Sequence, residues 1–234
     1  MRTNNMGPTL SWEEENILRW CEMLCKYWEF CGVETLPRVC SSFDQADNRK
    51  EQLEELERSI DGCTKCRLSE GRTHIVFGDG NPEAKLVFVG EGPGHEEDVQ
   101  GLPFVGQAGR LLTKMIHAIG LSRKDVYICN VVKCRPPQNR TPMADEIAAC
   151  SPFLFKQLEI IKPRIICALG ACAVEALLRT KQPMNRIRGR IFNWQGIPVV
   201  PTFHPAYLLR NAIEKRKAWE DFLIVRKYLD SEGV

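Results

Sequence analysis

The chain has no apolar run approaching the roughly 18 residues that a bilayer crossing requires, so no membrane span is expected. Its opening stretch, MRTNNMGPTLSWEEEN, lacks the apolar core of a secretory signal, and the expectation is a soluble, cytoplasmic monomer. Charge of one sign is also missing: a net +2 over 234 residues excludes a polyanion binder driven by composition alone. The balance is uneven, however. Residues before about Ile60 lean acidic and those after about Lys162 lean basic, which assigns any nucleic-acid face to the second half. No internal repeat or low-complexity tract breaks the chain. Cysteine, by contrast, is plentiful. Eleven is an odd number, and without a secretory signal it favours metal binding and burial over a disulfide framework.

Between Leu10 and about Phe30, Ile17, Trp20, Leu24, Tyr27 and Trp28 fall on one helical face, with Ser11 placed as an N-cap. A charged helix from about Gln45 to Ile60 follows and ends at Asp61 and Gly62. Beyond Cys63 short apolar runs alternate with helical ones: KLVFVG before Ala108–Ile119, VYICNVV before Ala144–Ile161, RIICALG before Ala171–Leu178, and IPVVPTF before Ala212–Leu229. Strands apolar on every residue are buried on both faces. The expected fold is therefore α/β, three layers (αβα) around a central, mainly parallel four-stranded sheet. A helical N-terminal extension, residues 1–58, precedes a domain at 59–234. Ligands of such sheets gather at the carboxyl ends of strands, where this chain carries GEGPG, CNVVKCRPP, ALGA and TFHPAYLLR.

GEGPG invites a dinucleotide reading, but the third glycine is misplaced and Pro93 breaks the turn into the helix. Glu96, Glu97 and Asp98 would also repel a pyrophosphate. No Gly-Lys-Ser/Thr follows for a Walker loop, so a nucleotide-dependent oxidoreductase is disfavoured. Cys63 and Cys66 form a CxxC, with Cys134 and Cys150 far downstream. That wide spacing suits a four-thiolate cluster embedded in a fold better than paired zinc knuckles, with zinc as the alternative. Cys21 and Cys25, one helical turn apart beside tryptophans, suit a packed helix rather than a second metal site with Cys31 and Cys40. Cys129, Cys167 and Cys172 sit in strand or helix-start positions and read as structural.

Taken in order, GEGPGHEEDVQGLPFVGQAGRLL, CNVVKCRPP and TFHPAYLLR, with the four spaced cysteines, resemble the family 4 iron–sulphur uracil-DNA glycosylases over roughly Ser59 to Leu229. The resemblance implies a monofunctional DNA glycosylase of base excision repair, which flips uracil out of single- or double-stranded DNA and leaves an abasic site. It implies a [4Fe–4S] cluster on Cys63, Cys66, Cys134 and Cys150. His204 would face uracil O2, Asn130 would read O4 and N3–H, Phe104 would stack on the base, and Glu97 would stand against C5 to exclude a thymine methyl. Glu96 and Asp98 read as solvated or helix-start acids. Glu91 and Gly92 occupy the catalytic loop, where the commonest family form, GEAPG, has alanine in place of Gly92. Neither alanine nor glycine is a base, so leaving-group stabilisation carries the reaction, with water positioned by backbone and Glu91. Leu208 resembles the wedge that fills the vacated stack, a task Leu209 could share. Arg188 and Arg210 are the leading phosphate contacts, among Arg186, Arg190, Lys215, Arg216 and Lys217. Around Arg135–Asp145 the histidine-bearing insertion of related covalent uracil traps is missing, which implies turnover. The rival reading is a non-catalytic iron–sulphur DNA-binding or redox protein on the same fold.

Overall fold

Strand burial sets the architecture. A computed structural model describes residues 41–231; the proposed helix at Leu10–Phe30 and Cys21, Cys25, Cys31 and Cys40 lie outside that range. In chain order the elements are α1 (Ser41–Ile60), β1 (Asp79–Gly80), β2 (Leu86–Gly90), α2 (His95–Gln100), α3 (Gln107–Ala118), β3 (Tyr127–Asn130), α4 (Ala144–Ile161), β4 (Ile165–Leu169), α5 (Ala171–Leu178), α6 (Met184–Ile187), β5 (Phe192–Trp194), β6 (Ile197–Thr202), α7 (Pro205–Arg210) and α8 (Lys215–Ser231). Every residue of β2, β3 and β4 is buried, and their alternate side chains feed two separate cores. Val87, Val89, Cys129 and Ile166 face a core closed by α1, α4 and α5, whereas Leu86, Phe88, Ile128 and Cys167 face one closed by α3 and α8. That is the three-layer arrangement expected of apolar strands with period-2 side chains.

The four strands expected from sequence run parallel in the order β3-β2-β4-β6. The sheet nevertheless has six strands, because β1 and β5 add antiparallel edges to β3 and β6. These edges are two and three residues long, too short to carry a periodic signal. The domain boundary also moves. Leu53 and Ile60 of α1 are buried in the same core as β2, and the compact unit begins at Ala46 rather than at residue 59.

Because β2 connects to β3 on one side and β4 to β6 on the other, the chain reverses direction across the sheet beside β2. Such a switch point opens a crevice beyond the carboxyl ends. Gly90 pairs with Asn130 there, and Leu169 with Thr202, so the loops after β2, β3 and β6 meet along one edge. Among the described residues no helix is long and apolar enough to cross a membrane.

Candidate active site

A cleft of about 430 Å³ occupies that edge, and Glu91, Gly92, Glu97, Phe104, Asn130, His204 and Arg210 all line it. The site residues expected from three separate motifs are thus brought to one place.

Asn130, the last residue of β3, is only 1% exposed, and its buried Oδ1 has no hydrogen-bond partner within the described structure. An orphaned buried carbonyl costs about 1–3 kcal/mol, a penalty that a ligand N–H entering the cleft would relieve. Gly90 makes this position possible, since a Cβ there would collide with Asn130 Oδ1 and lie 2.6 Å from the Phe104 ring. Gly90→Ala should therefore raise KM for the cleft's substrate at least tenfold while circular dichroism stays native. An unchanged KM would show that Phe104 and Asn130 do not act together.

Phe104 is held in a left-handed conformation, φ 53°, that a bulky residue adopts only when its surroundings impose it. Two clamps do so. The Glu97 carboxylate accepts N–H bonds from Val105 (3.0 Å) and Gly106 (2.9 Å), and the Arg123 guanidinium donates to the carbonyls of Pro103 (2.9 Å) and Phe104 (3.1 Å). Arg123 is itself fixed by Asp79 on the edge strand β1, 3.2 Å away. No motif marked Arg123 in the sequence, since its partners lie 19 to 44 residues distant.

His204 caps α7, and its Nδ1 accepts the N–H of Ala206 at 3.2 Å. In the neutral ring the proton must then sit on Nε2, leaving that nitrogen as a donor. Burial first, and the positive charge of Arg210 second, push the imidazole down to about 4 against the opposing pull of Glu97, so the ring is neutral at physiological pH. The Phe104 and His204 rings lie 5.6 Å apart, centroid to centroid, on the same cleft. Burial also raises the Glu91 carboxyl, opposed by a hydrogen bond from Thr141. Gly92 lets Val132 approach, since a Cβ would come within 2.7 Å of its methyl.

The acids after GEGPG have three different fates. Glu96 is exposed, 3.8 Å from Arg110. Glu97 is the loop clamp just described and also lines the cleft. Asp98, expected to be solvated or a helix-start acid, lies in the first turn of α2 but is 2% exposed, and it accepts the backbone N–H groups of Thr73 (2.8 Å) and His74 (3.3 Å). Two further expectations are corrected. Leu208 is wholly buried against Phe203 and Ala218 and is not available as a wedge, whereas Leu209, next along α7, is 43% exposed. Arg188 is not a free phosphate contact. It is 2.8 Å from the fully buried Asp221 and also bonds Glu220 and the Lys217 carbonyl. Arg188→Ala should cost about 3 kcal/mol of stability by stranding Asp221, with no change in the salt dependence of DNA binding. Arg210→Ala should leave stability near wild type and lower the slope of log K against log salt by about 1. The reverse pattern in a denaturation and salt-titration pair would undo both assignments.

The four spaced cysteines also converge. Cys63, Cys66, Cys134 and Cys150 line one recess walled by Ile60 and Phe153. Arg72 Nη1 donates to Cys134 Sγ at 3.4 Å, and the Lys133 backbone N–H to Cys150 Sγ at 3.3 Å. Among the described residues no three His, Cys, Asp or Glu side chains close on a point as a single ion needs.

Residues 77–223 match the model of the uracil DNA glycosylase superfamily. A type-4 uracil-DNA glycosylase of Thermotoga maritima is 48% identical over 189 residues, covering 79% of this chain and 98% of that protein. One from Saccharolobus solfataricus is 45% identical over 74% of this chain and 84% of the relative. The chain belongs to the type-4 uracil-DNA glycosylases. A type-5 uracil-DNA glycosylase of Pyrobaculum aerophilum is also similar, 34% identical over 59% of this chain. The superfamily match begins at Phe77 and so leaves Cys63 and Cys66 outside it, yet the fold brings those two thiols to the same recess as Cys134 and Cys150.

Proposed function

We propose that this protein excises uracil from DNA by hydrolysis of the N-glycosidic bond, leaves an abasic site, and does so in the cleft of His204, Asn130 and Phe104. The observation that carries the reading is the buried, partnerless Oδ1 of Asn130 beside a histidine whose only free proton is on Nε2. Uracil supplies the complement: an N3–H for Oδ1, an O4 for the amide hydrogens, and an O2 for Nε2–H. Cytosine presents the opposite pair at N3 and N4.

The base is unreachable inside a duplex, so the nucleotide swings out at a cost of a few kcal/mol and stacks on Phe104. As the N1–C1′ bond breaks, its electron pair stays with the base and negative charge spreads to O2. His204 Nε2–H is already in place for that charge, and a fixed donor of this kind contributes about 3 kcal/mol. Water adds to the cationic C1′ and gives its proton to solvent or to the departing anion. Glu91 and the backbone at Gly92 position that water. Glu97, braced by two N–H groups, presents a fixed wall to C5, where a thymine methyl would desolvate its carboxylate.

Cys63, Cys66, Cys134 and Cys150 fit a [4Fe–4S] cluster. Four thiols share an apolar recess, and N–H groups point at two of the sulphurs. Such a cluster would tie the CxxC segment to the loop after β3. Leu209 fills the vacated stack, assisted by Tyr207 on the same exposed turn. Leu209→Ala should lower kcat/KM on duplex uracil several-fold more than on single strands; equal losses would deny it a wedge role.

The deciding assay measures free base released from oligonucleotides carrying uracil, hypoxanthine or thymine. Uracil release with thymine intact is expected. DNA binding without any base release would instead support the non-catalytic reading.

A further inference from the structure

Lys133 is a lysine without a counter-ion. It lies between Asn130 and Cys134, its side chain is among the largest fully buried in the protein, and the residue is 2% exposed. Its Nζ donates to the Asn130 carbonyl at 2.9 Å and to Gln157 Oε1, and lies 5.9 Å from the centre of the Phe77 ring. Gln157 is neutral and is spent on the Phe77 carbonyl (3.0 Å) and the Tyr127 hydroxyl (3.3 Å). Among the described residues no carboxylate lies within 4.0 Å of Nζ in an ion pair. A buried ammonium with only dipoles around it costs several kcal/mol, and proteins retain such groups when an opposite charge is supplied.

A source of that charge adjoins it in the cysteine recess. Lys133 lines it, and its own backbone N–H is bonded to Cys150 Sγ at 3.3 Å. Four thiolates outweigh the charge of an iron–sulphur core, so the bound group is net anionic; of the three cations that line the recess, Lys65 is exposed, Arg72 is half-buried and Lys133 alone is buried. We propose that Lys133 is the internal counter-charge of the cluster, and that the same ammonium, by holding the Asn130 carbonyl, joins the cluster to the uracil pocket. This rests on the cluster assignment made above.

A packing role and a counter-charge role predict different signs. Thermal unfolding is measured for wild type, Lys133→Met and Gln157→Glu, each with its cluster and after removal by chelator. With the cluster present, wild type should melt above both variants, since Lys133→Met removes the balancing charge and Gln157→Glu adds a second negative one. After removal the order should reverse: methionine no longer strands an ammonium, and glutamate supplies the missing partner. Variants that stay below wild type in both states, or above it in both, would overturn the proposal. If all the stripped proteins unfold, the bound cluster's reduction potential decides. Lys133→Met should lower it by at least 59 mV, a tenfold change in the one-electron equilibrium, and an unchanged potential would defeat the idea. Iron and sulphide analysis of the wild type separates the two layers. Their absence removes the cluster reading together with this one, whereas a cluster present without reversal removes only the role of Lys133.

Discussion

His204→Ala should lower kcat for uracil release by about 10²–10³-fold, equivalent to about 3 kcal/mol, with little change in KM. The reason lies in when the bond strengthens. Uracil O2 is a weak acceptor in the intact nucleotide and a charged one as the base departs, so the Nε2–H bond gains most of its energy at the transition state. The pH dependence follows from the same geometry. With the imidazole held down at about 4, no limb in kcat/KM near 6.5 should arise from this residue, because the ring is already neutral there. Stability behaves oppositely. An unfolded histidine takes up a proton near 6.5 and the folded one only near 4, so the unfolded chain gains protons first and stability falls as pH drops through that window. His204→Asn should remove its share of that slope in urea melts at pH 4.5 and 7. A wild-type kcat in His204→Ala would end the assignment of Nε2 as the donor to O2.

How much of this was legible beforehand depends on the range of each interaction. The four parallel strands announced themselves because burial on both faces leaves unbroken apolar runs, and their ends fell within a residue or two of the observed bounds. His204, Asn130 and Phe104 were legible because each sits in a motif at a strand end, and the switch point brings those ends together. Pro205 opens α7, since the first helical turn tolerates proline without losing a hydrogen bond. Leu208 and Leu209 differ by one position, and only the phase of that short helix decides which is buried. The burial of Asp98 and the pairing of Arg188 escape the sequence for a common reason. A charged side chain is ordinarily solvated, and nothing local tells that Asp98 meets backbone N–H groups 24 and 25 residues back, or that Arg188 meets Asp221 33 residues on. Lys133 did leave a sequence signal: a single charge inside CNVVKC, between the end of an apolar strand and Cys134.

The second large effect concerns Asn130. Asn130→Asp should reduce kcat/KM on uracil by about 10³-fold or more, a heavier loss than Asn130→Ala causes. In the wild type the amide gives uracil both a donor for O4 and an acceptor for N3–H. An ionised aspartate in the same buried position has acceptors alone, so O4 would face a lone pair in place of a hydrogen. Charge adds to this. A carboxylate about 4 Å from a base that leaves as an anion opposes departure by about 4 kcal/mol at an effective dielectric of 20. Alanine removes the donor without introducing that repulsion and opens room for water, which is why it should be the milder change. The aspartate also fits the other pyrimidine better, because cytosine offers an N4 hydrogen where uracil offers an oxygen. The ratio of cytosine to uracil release should therefore rise in Asn130→Asp, even as both absolute rates stay low. Single-turnover assays on matched oligonucleotides measure all three quantities. Should the aspartate variant equal wild type on uracil, or should alanine prove the more damaging of the two, the carboxamide does not touch the base and the orphaned oxygen in the cleft serves some other ligand.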